Sequence, residues 1–295
     1  MTKGFAGLHP VVNFTYFVLV IAFSMVFMHP VCLCISFFCA IVHLFSLTGK
    51  KAFKNLYISV FVIITTMIIN PLFSHEGVTI LTYFPNGNPL TAESVIYGFG
   101  AGTMLACVIL HFSCYNTVVT SDKFIYLFGK AIPSMSLIIS MTLNFVPKFI
   151  RRINSVAATQ KCIGKGAEDK KITDKIKCGL NILSITTTYA LESSIDISLS
   201  MKARGYGLPQ RTTYSNFRFD KRDTAILIII LIAGTYTIYG FCTNKIAFQY
   251  YPIIKGIYFN PLSLSVYMSY FLLCIIPVLI NIKEALTWKF LKSKN

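Results

Sequence analysis

Charged side chains are scarce in this sequence, and acidic ones are the scarcest. Asp, Glu, Lys and Arg together fill 13% of the 295 positions, about half of their share in an ordinary soluble domain. Hydrophobic residues fill 55% of the chain, and several apolar runs reach the roughly 20 residues that a helix needs to cross a bilayer. A water-soluble fold of this size could not cover so much apolar surface. The composition therefore predicts an integral membrane protein.

Motifs for catalysis, metal binding and nucleotide binding are also missing. The nine cysteines are scattered, and Cys32, Cys34 and Cys39 lack the C-x-x-C spacing of a zinc or redox site. The chain contains no H-E-x-x-H, no G-x-S-x-G and no G-x-x-x-x-G-K-[ST] motif. We therefore expect no enzyme activity, no cofactor and no bound metal. His43 and His111 are the ionisable residues of the predicted spans, and we expect both to be satisfied between helices rather than to relay protons.

Six apolar runs predict six membrane-spanning helices, each long enough to cross with some tilt. They cover residues 11–28, 31–47, 56–73, 95–119, 224–241 and 262–280. The first two runs meet at His29-Pro30, which predicts a tight helical hairpin or a re-entrant pair. A further apolar stretch, 132–146, is short and contains Pro133 and three serines. We expect this stretch to lie along the inner membrane interface rather than to span.

The loop between the third and fourth spans has a different character. It combines a β-prone run, 78–84, with the turn sequence Pro85-Asn86-Gly87-Asn88-Pro89. This pattern predicts a small external hairpin or lid. His75 and Glu76 are interpreted as residues of a solvated loop tip.

The basic residues predict the orientation, because the cytoplasmic flanks of spans carry the excess of Lys and Arg. With the N-terminus inside, 25 of the 27 basic residues lie in inner segments, and only Lys245 and Lys255 lie outside. We therefore predict that both termini are cytoplasmic. The chain divides into four N-terminal spans (1–120), a cytoplasmic basic region (121–222), and two C-terminal spans with a basic tail (223–295).

The basic region holds 17 basic and seven acidic residues, yet it has helical periodicity. Apolar residues recur at three- and four-residue steps from Ile138 to Val156 and again from Ile176 to Met201. This pattern predicts two long amphipathic helices. Nucleic-acid binding is not expected, because aromatic residues are not interleaved with the basic ones as in a base-stacking platform. The positive charge should instead attract anionic lipid headgroups of the bilayer.

Each predicted amphipathic helix ends in a basic tip that contains glycine. The second helix ends in the run Met201-Lys202-Ala203-Arg204-Gly205-Tyr206-Gly207-Leu208-Pro209, and the first in Gln160-Lys161-Cys162-Ile163-Gly164-Lys165-Gly166. A cation in the last turn complements the helix dipole, and glycine or proline ends the helix. Such a tip can sit in a groove of a soluble partner while the helix body transmits force. Arg204 could bond an acidic or carbonyl acceptor there.

The Met-x-Ala-Arg-Gly-Tyr-Gly run resembles the second coupling motif of a known family. The family is the transmembrane T component (EcfT/CbiQ) of energy-coupling-factor (ECF) vitamin and metal importers. The likeness extends over nearly the whole chain and includes His9-Pro10, Asn70-Pro71-Leu72-Phe73, Asn88-Pro89-Leu90-Thr91-Ala92-Glu93, Tyr97-Gly98 and Pro147. The chain departs from the family at the first coupling tip. An Ala-Arg-Gly or Ala-Arg-small triplet is usual there, and this chain has Cys162-Ile163-Gly164.

The resemblance implies an all-α integral membrane protein with about six transmembrane helices and two long cytoplasmic coupling helices. It implies a non-catalytic scaffold in the plasma membrane that holds two cytoplasmic ABC-type ATPase subunits and one small membrane S component, which binds a vitamin or a metal ion. The ATPase-coupling residues would be Ala203, Arg204 and Gly205 at the second tip and Lys161, Cys162, Ile163 and Gly164 at the first. Since isoleucine cannot replace an arginine contact, the first tip would dock through packing, with a neighbouring lysine supplying charge.

Two other functions stay open on the residues alone. A self-contained secondary transporter would show internal repeats and discontinuous helices with polar sites at the bilayer midplane, and the sequence has no convincing repeat. A membrane-embedded enzyme would need a catalytic constellation, which is missing.

Overall fold

The fold is almost entirely helical. The computed structural model describes residues 4–83, 87–129, 133–164, 172–206, 217–243, 246, 248–256 and 260–293. In chain order the helices are α1 (Pro10–Val26), α2 (Pro30–Thr48), α3 (Ala52–Phe73), α4 (Ala92–Val118), α5 (Ser121–Gly129), α6 (Pro133–Cys162), α7 (Ile172–Ala203), α8 (Lys221–Cys242) and α9 (Pro261–Ser293). A hairpin of β1 (Ile80–Tyr83) and β2 (Pro89–Thr91) precedes α4, and short 3₁₀ turns occupy Phe5–Gly7 and Gly49–Lys51.

Four helical stretches are long and apolar enough to cross a membrane. They are Pro30–Phe73, Ala92–Val118, Lys221–Cys242 and Pro261–Trp288. The first stretch contains two successive helices, α2 and α3, while α1 is apolar but only 17 residues long. The predicted all-α membrane protein is confirmed for the described residues, whereas the number of six spans stays a prediction. Helix α6 is not among the candidate spans, and the interfacial position of its first half stays a prediction.

The first two helices both begin at a His-Pro pair. Proline at the first helical position loses no hydrogen bond, and the histidine before it caps the helix. Nδ1 of His9 accepts the N–H of Val11 at 3.3 Å. In the same way, Nδ1 of His29 accepts the N–H of Val31 at 3.2 Å. The break that the sequence predicts at His29-Pro30 is therefore a capped helix start.

Helices α3 and α4 approach each other through two glycines one turn apart. A Cβ added to Gly98 would lie 3.0 Å from Cβ of Asn70, and one added to Gly102 would lie 3.0 Å from Cα of Ile63. Small residues that admit a neighbouring backbone are a common device for packing helices in membranes. This face of α4 therefore has no room for a larger side chain.

The core draws on most of the membrane helices. Its fully buried side chains come from α1, α2, α3, α4, α8, α9 and the first 3₁₀ turn, and they include Phe5, Tyr16, Phe17, Leu44, Leu110, Ile230 and Leu273. His111 is buried with its Nδ1 2.8 Å from the carbonyl oxygen of Cys107, one turn earlier in α4. It is therefore satisfied, within its own helix rather than between helices. His43 is not: neither ring nitrogen has a hydrogen-bond partner within the described part of the chain. It instead stacks on the ring of Phe17, with centroids 6.1 Å apart.

The predicted hairpin is present, and its external location stays a prediction. Strands β1 and β2 pair antiparallel, with Ile80 opposite Thr91 and Tyr83 opposite Pro89, and residues 84–86 of the turn lie outside the described residues. Glu93 at the start of α4 is hydrogen-bonded to Thr79, the residue before β1. It accepts the hydroxyl of Thr79 at 2.7 Å and the N–H of the same residue at 3.2 Å. This carboxylate therefore has a structural role.

Residues 1–124 and 217–295 form one compact unit, and residues 125–216 form another. Lys123 and Asp223 lie in the first unit, close to its two boundaries with the second. Both are hydrogen-bonded to the N-terminal segment of the chain. Nζ of Lys123 donates to the carbonyl oxygens of Ala6 (2.6 Å) and Val118 (3.1 Å). Asp223 accepts the N–H of His9 at 3.4 Å and closes a capping box at the start of α8. Lys123 is buried, and this burial lowers its pKa to about 8.

Candidate coupling helices

Helix α7 ends in a Schellman motif built around Gly205. The N–H of Tyr206 donates to the carbonyl of Met201 (3.1 Å), and that of Gly205 donates to the carbonyl of Lys202 (3.0 Å). These two bonds define the motif, which needs a left-handed residue at the position of Gly205. Gly205 has φ +78°, a conformation that glycine adopts without cost. The cap leaves Ala203 and Arg204 exposed at the helix end.

Helix α6 ends in a similar way. The N–H of Gly164 donates to the carbonyl of Lys161 at 3.1 Å, and Gly164 has φ +76°. Cys162, Ile163 and Gly164 are exposed, and Ile163 keeps 63% of its surface open. An isoleucine this open at a helix end has an apolar surface that a partner could cover. The geometry fits packing at this tip, and its docking role stays a prediction.

The two tips are not brought together. Helices α6 and α7 pack side by side, and the guanidinium of Arg152 lies 4.0 Å from the centre of the Tyr189 ring. The first part of α6, near Met141, faces the same cavity as the last turn of α7, near Met201. Later residues of α6, such as Ser155, share a cavity with earlier residues of α7. The helices are therefore antiparallel, and their C-terminal tips lie at opposite ends of the pair.

The length of the pair sets the distance between the tips. Helix α7 has 32 residues, and at a rise of about 1.5 Å per residue it is roughly 48 Å long. The tip of α6 is joined to the start of α7 by the short segment 163–171, of which 165–171 lie outside the described residues. The tips can therefore contact two separate partner molecules.

Both helices leave apolar side chains uncovered. Within the described residues, α7 buries only Cys178 and Thr186. Large apolar residues that stay exposed on the pair include Met135, Ile138, Leu143, Ile176, Leu180, Leu183, Leu191 and Ile195. Exposed apolar patches larger than a few hundred Å² are rare on soluble monomers and mark protein or membrane contacts. The pair therefore has the surface of a helix pair that is covered by lipid or by another membrane protein.

No family model matches the chain, but seven curated relatives do. All seven are named energy-coupling factor transporter transmembrane protein EcfT. The one from Streptococcus thermophilus is 26% identical over 138 residues, which are 46% of this chain and 52% of that protein. The one from Lactobacillus helveticus is 29% identical over 115 residues, 38% of this chain and 42% of that protein. The one from Listeria innocua is 24% identical over 205 residues, 63% of this chain and 75% of that protein.

The resemblance to the EcfT-type T component is confirmed. The chain spans about half the length, or less, of the first EcfT relatives that it matches, 52%, 40% and 42%. The likeness to EcfT and the apolar helices together indicate a multi-pass membrane protein. The roles of Ala203, Arg204 and Gly205, and of the first tip, stay predictions.

A cluster of three cations on α6 is not evident from the charge of the basic region. The spacing of Lys148, Arg151 and Arg152 places all three on one face of a helix. The structure sets them in a cavity against Tyr189. The spacing alone could have indicated a shared face, but not the aromatic partner on α7.

Proposed function

We propose that the chain is the transmembrane coupling subunit of an ECF-type ABC importer. It would hold two cytoplasmic ATPase subunits at the tips of α6 and α7 and one small S component in the membrane. Vitamins or metal ions are the proposed cargo, since the ECF resemblance implies them. The observation that carries the proposal is the antiparallel helix pair, whose two capped tips lie at opposite ends and are free to contact two partners.

The proposed mechanism is mechanical. ATP binding would draw two ATPase subunits together, and each would move the tip docked in it. Because a long helix transmits displacement along its axis, the pair would shift relative to the membrane and reorient the S component. Coupling of this kind requires that the partners make different contacts with this chain before and after ATP binding. ATP hydrolysis would take place on the partners, and this chain would stay non-catalytic.

The two tips would bind the ATPase subunits through different kinds of interaction. Arg204 at the end of α7 presents a guanidinium fork, which bonds a carboxylate or carbonyl groups bidentately. Ile163 at the end of α6 presents an apolar side chain that is 63% exposed, and Lys161 lies in the last turn of the same helix. The α7 tip would therefore contribute directional bonds, and the α6 tip apolar contact with charge beside it.

The apolar face of the pair would contact the S component at the inner membrane interface. This location rests on the predicted orientation, in which both termini and the basic region are on the cytoplasmic side of the plasma membrane. Lys123 and Asp223 fix both ends of the basic region to the start of α1. Those two anchors would connect movement of the helix pair to the membrane helices.

A pull-down of the tagged native protein in mild detergent tests the proposal, with co-purifying proteins identified by mass spectrometry. Recovery of two ATPase subunits, or a homodimer of one, together with a small hydrophobic protein is the expected result. The ligand retained by the small protein would identify the cargo. A chain that purifies alone and stays folded would overturn the proposal.

A further inference from the structure

Two adjoining cavities lie between α6 and α7, and they differ in chemistry. The smaller has a volume of about 570 Å³, and its polar lining consists of Lys148, Arg151, Arg152, Ser155, Tyr189 and Ser193. Among the described residues that line it there is no carboxylate. The larger is about 890 Å³ and is mostly apolar, with Leu137, Met141, Ala190 and Leu191 in its wall. Phe145, Lys148 and Ile197 line both, so the basic cavity and the apolar one meet at these three residues.

Contacts orient two of the three cations of the smaller cavity, Arg151 and Arg152. Lys148, Arg151 and Arg152 follow at steps of three and four residues, which places them on one face of α6. The guanidinium of Arg152 rests over the ring of Tyr189 at 4.0 Å. Stacking on a ring face uses the plane of a guanidinium and leaves its N–H edge able to donate. Nε of Arg151 donates to the carbonyl oxygen of Pro147 at 3.3 Å, so its terminal nitrogens can still bond a ligand.

We propose that this composite site binds one anionic phospholipid, with its phosphate in the basic cavity and an acyl chain along the apolar groove. Three neighbouring positive charges repel one another unless an anion offsets them, and charge-assisted bonds to phosphate are among the strongest in proteins. The hydroxyls of Ser155 and Ser193 supply further donors in the same cavity.

The shape of the site selects a lipid over a soluble anion. Free phosphate would fill only the basic cavity and leave the apolar groove in contact with water. A phospholipid covers both parts, and the predicted location of α6 at the inner membrane interface gives it access to the anionic leaflet. The inference does not depend on the ATPase partners, and a failure of one proposal leaves the other intact.

Native mass spectrometry of the detergent-purified protein tests the site directly. The protein is incubated with trace phosphatidylglycerol in an excess of phosphatidylcholine, and lipid adducts are counted. One phosphatidylglycerol per chain should be retained preferentially. The triple variant Lys148→Gln, Arg151→Gln, Arg152→Gln should bind it about tenfold or more weakly, because the headgroup loses all three of the neighbouring positive charges.

The chain offers a control with the same change in charge. Lys50, Lys51 and Lys54 are exposed in the turn between α2 and α3 and at the start of α3, and all three are predicted to face the cytoplasm. The triple variant Lys50→Gln, Lys51→Gln, Lys54→Gln removes three positive charges without touching the cavity. It should retain phosphatidylglycerol as the native protein does. Equal loss in both triple variants would show diffuse attraction and would overturn the site.

Two further measurements distinguish a lipid from a phosphate site and a local effect from misfolding. Glycerol 3-phosphate and inorganic phosphate, added at millimolar concentration, should not displace the lipid; displacement by either would mean that the site holds a free phosphate.

The variant Tyr189→Leu should lower the affinity for phosphatidylglycerol without removing a charge, because Arg152 loses the ring that positions it. Circular dichroism of each variant should show native helix content. Unchanged binding in a folded Lys148→Gln, Arg151→Gln, Arg152→Gln variant would refute the proposal.

Discussion

The phenol oxygen of Tyr267 in α9 lies 3.0 Å from Nε2 of His29 at the start of α2. The other ring nitrogen, Nδ1, accepts the N–H of Val31 and therefore carries no proton. Nε2 also lies 3.4 Å from the carbonyl oxygen of Gly256, which fixes the proton on that side of the ring. His29 is thus a buried, neutral histidine that joins a helix cap to a contact with α9 and the loop before it.

The stability of the protein should fall in mildly acidic solution because of His29. Burial lowers the pKa of His29 below its ordinary value of 6.5. Between the lowered pKa and 6.5, the unfolded chain therefore binds a proton that the folded chain does not. His29 therefore does not reduce the free energy of unfolding above pH 6.5, and it reduces that free energy progressively as the pH falls from 6.5 to the lowered pKa. Thermal unfolding in detergent at a series of pH values measures the effect.

The variant His29→Asn separates this effect from the other histidines. Asparagine caps a helix well but does not titrate, so the variant should be less stable overall and less dependent on pH just below 6.5. A variant with the same pH dependence as the native protein would remove His29 as the cause.

The close contact of α3 and α4 should not tolerate even one methyl group. In Gly102→Ala the new Cβ would lie 3.0 Å from Cα and 3.1 Å from the carbonyl oxygen of Ile63, and backbone atoms cannot turn away as side chains can. Overpacking of this kind costs about 1–3 kcal/mol. The melting temperature in detergent should fall by roughly 2–4 °C for each kcal/mol.

Gly179 is the matched control for that substitution. It lies inside α7, and a Cβ added there has nothing within 4 Å. Alanine at an open helix position is favoured over glycine by about 1 kcal/mol, so Gly179→Ala should leave the melting temperature unchanged or raise it. If Gly102→Ala is as stable as Gly179→Ala, the two helices are not packed through this glycine.

The sequence was informative where local chemistry decides the structure. The helix starts at His9-Pro10 and His29-Pro30 and the cap at Gly205 follow from residue types within one turn, and the structure has all three. Local patterns could not predict that Lys123 is buried against Ala6 or that Arg152 stacks on Tyr189. Those contacts join residues far apart in the chain and depend on how the helices pack.

His43 shows the same limit inside the core. The sequence led to the expectation of a hydrogen-bonded histidine, and the ring instead packs against both Phe5 and Phe17. The antiparallel order of α6 and α7 is a larger example. Amphipathic periodicity predicts two helices but does not indicate which of their faces meet, so the separation of the tips became visible only in three dimensions.

Reversing the charge at the α7 tip should separate the ATPase subunits from the chain. In Arg204→Glu a carboxylate replaces a guanidinium that would face acidic or carbonyl acceptors, so attraction becomes repulsion. A loss of about 2 kcal/mol or more, roughly 30-fold in affinity, is expected. Co-purification of ATPase subunits and uptake of cargo should both fall, while the amount of protein in the membrane should not change.

Lys283→Glu is the control for the charge reversal, since Lys283 is exposed on α9 and belongs to the other compact unit. It should leave assembly and uptake unchanged. Native uptake and native assembly in Arg204→Glu would remove Arg204 from the coupling site.

Docking of an ATPase subunit at the α6 tip should depend on an apolar side chain at position 163 rather than on a specific hydrogen bond. Ile163 is exposed and apolar, so Ile163→Glu should weaken docking of one ATPase subunit, whereas Ile163→Leu should not. The stoichiometry of the detergent-solubilised complex, measured by light scattering, reports the difference. Full assembly in Ile163→Glu would mean that the first tip makes no contact that matters for binding.

Cysteine labelling in intact cells should place both ends of the basic region on the inner side of the membrane. Lys123 is buried and unsuited to a label, so the single cysteines are introduced at the exposed positions Asp122 and Lys221, and at Asn88 in the external hairpin. The background needs only the exposed native cysteines, Cys34, Cys162 and Cys242, replaced by alanine, because the other six are buried. A membrane-impermeant maleimide should label position 88 in intact cells and positions 122 and 221 only after permeabilisation. Labelling of 122 and 221 from opposite sides would require an odd number of crossings between them, and α6 or α7 would then have to span the membrane.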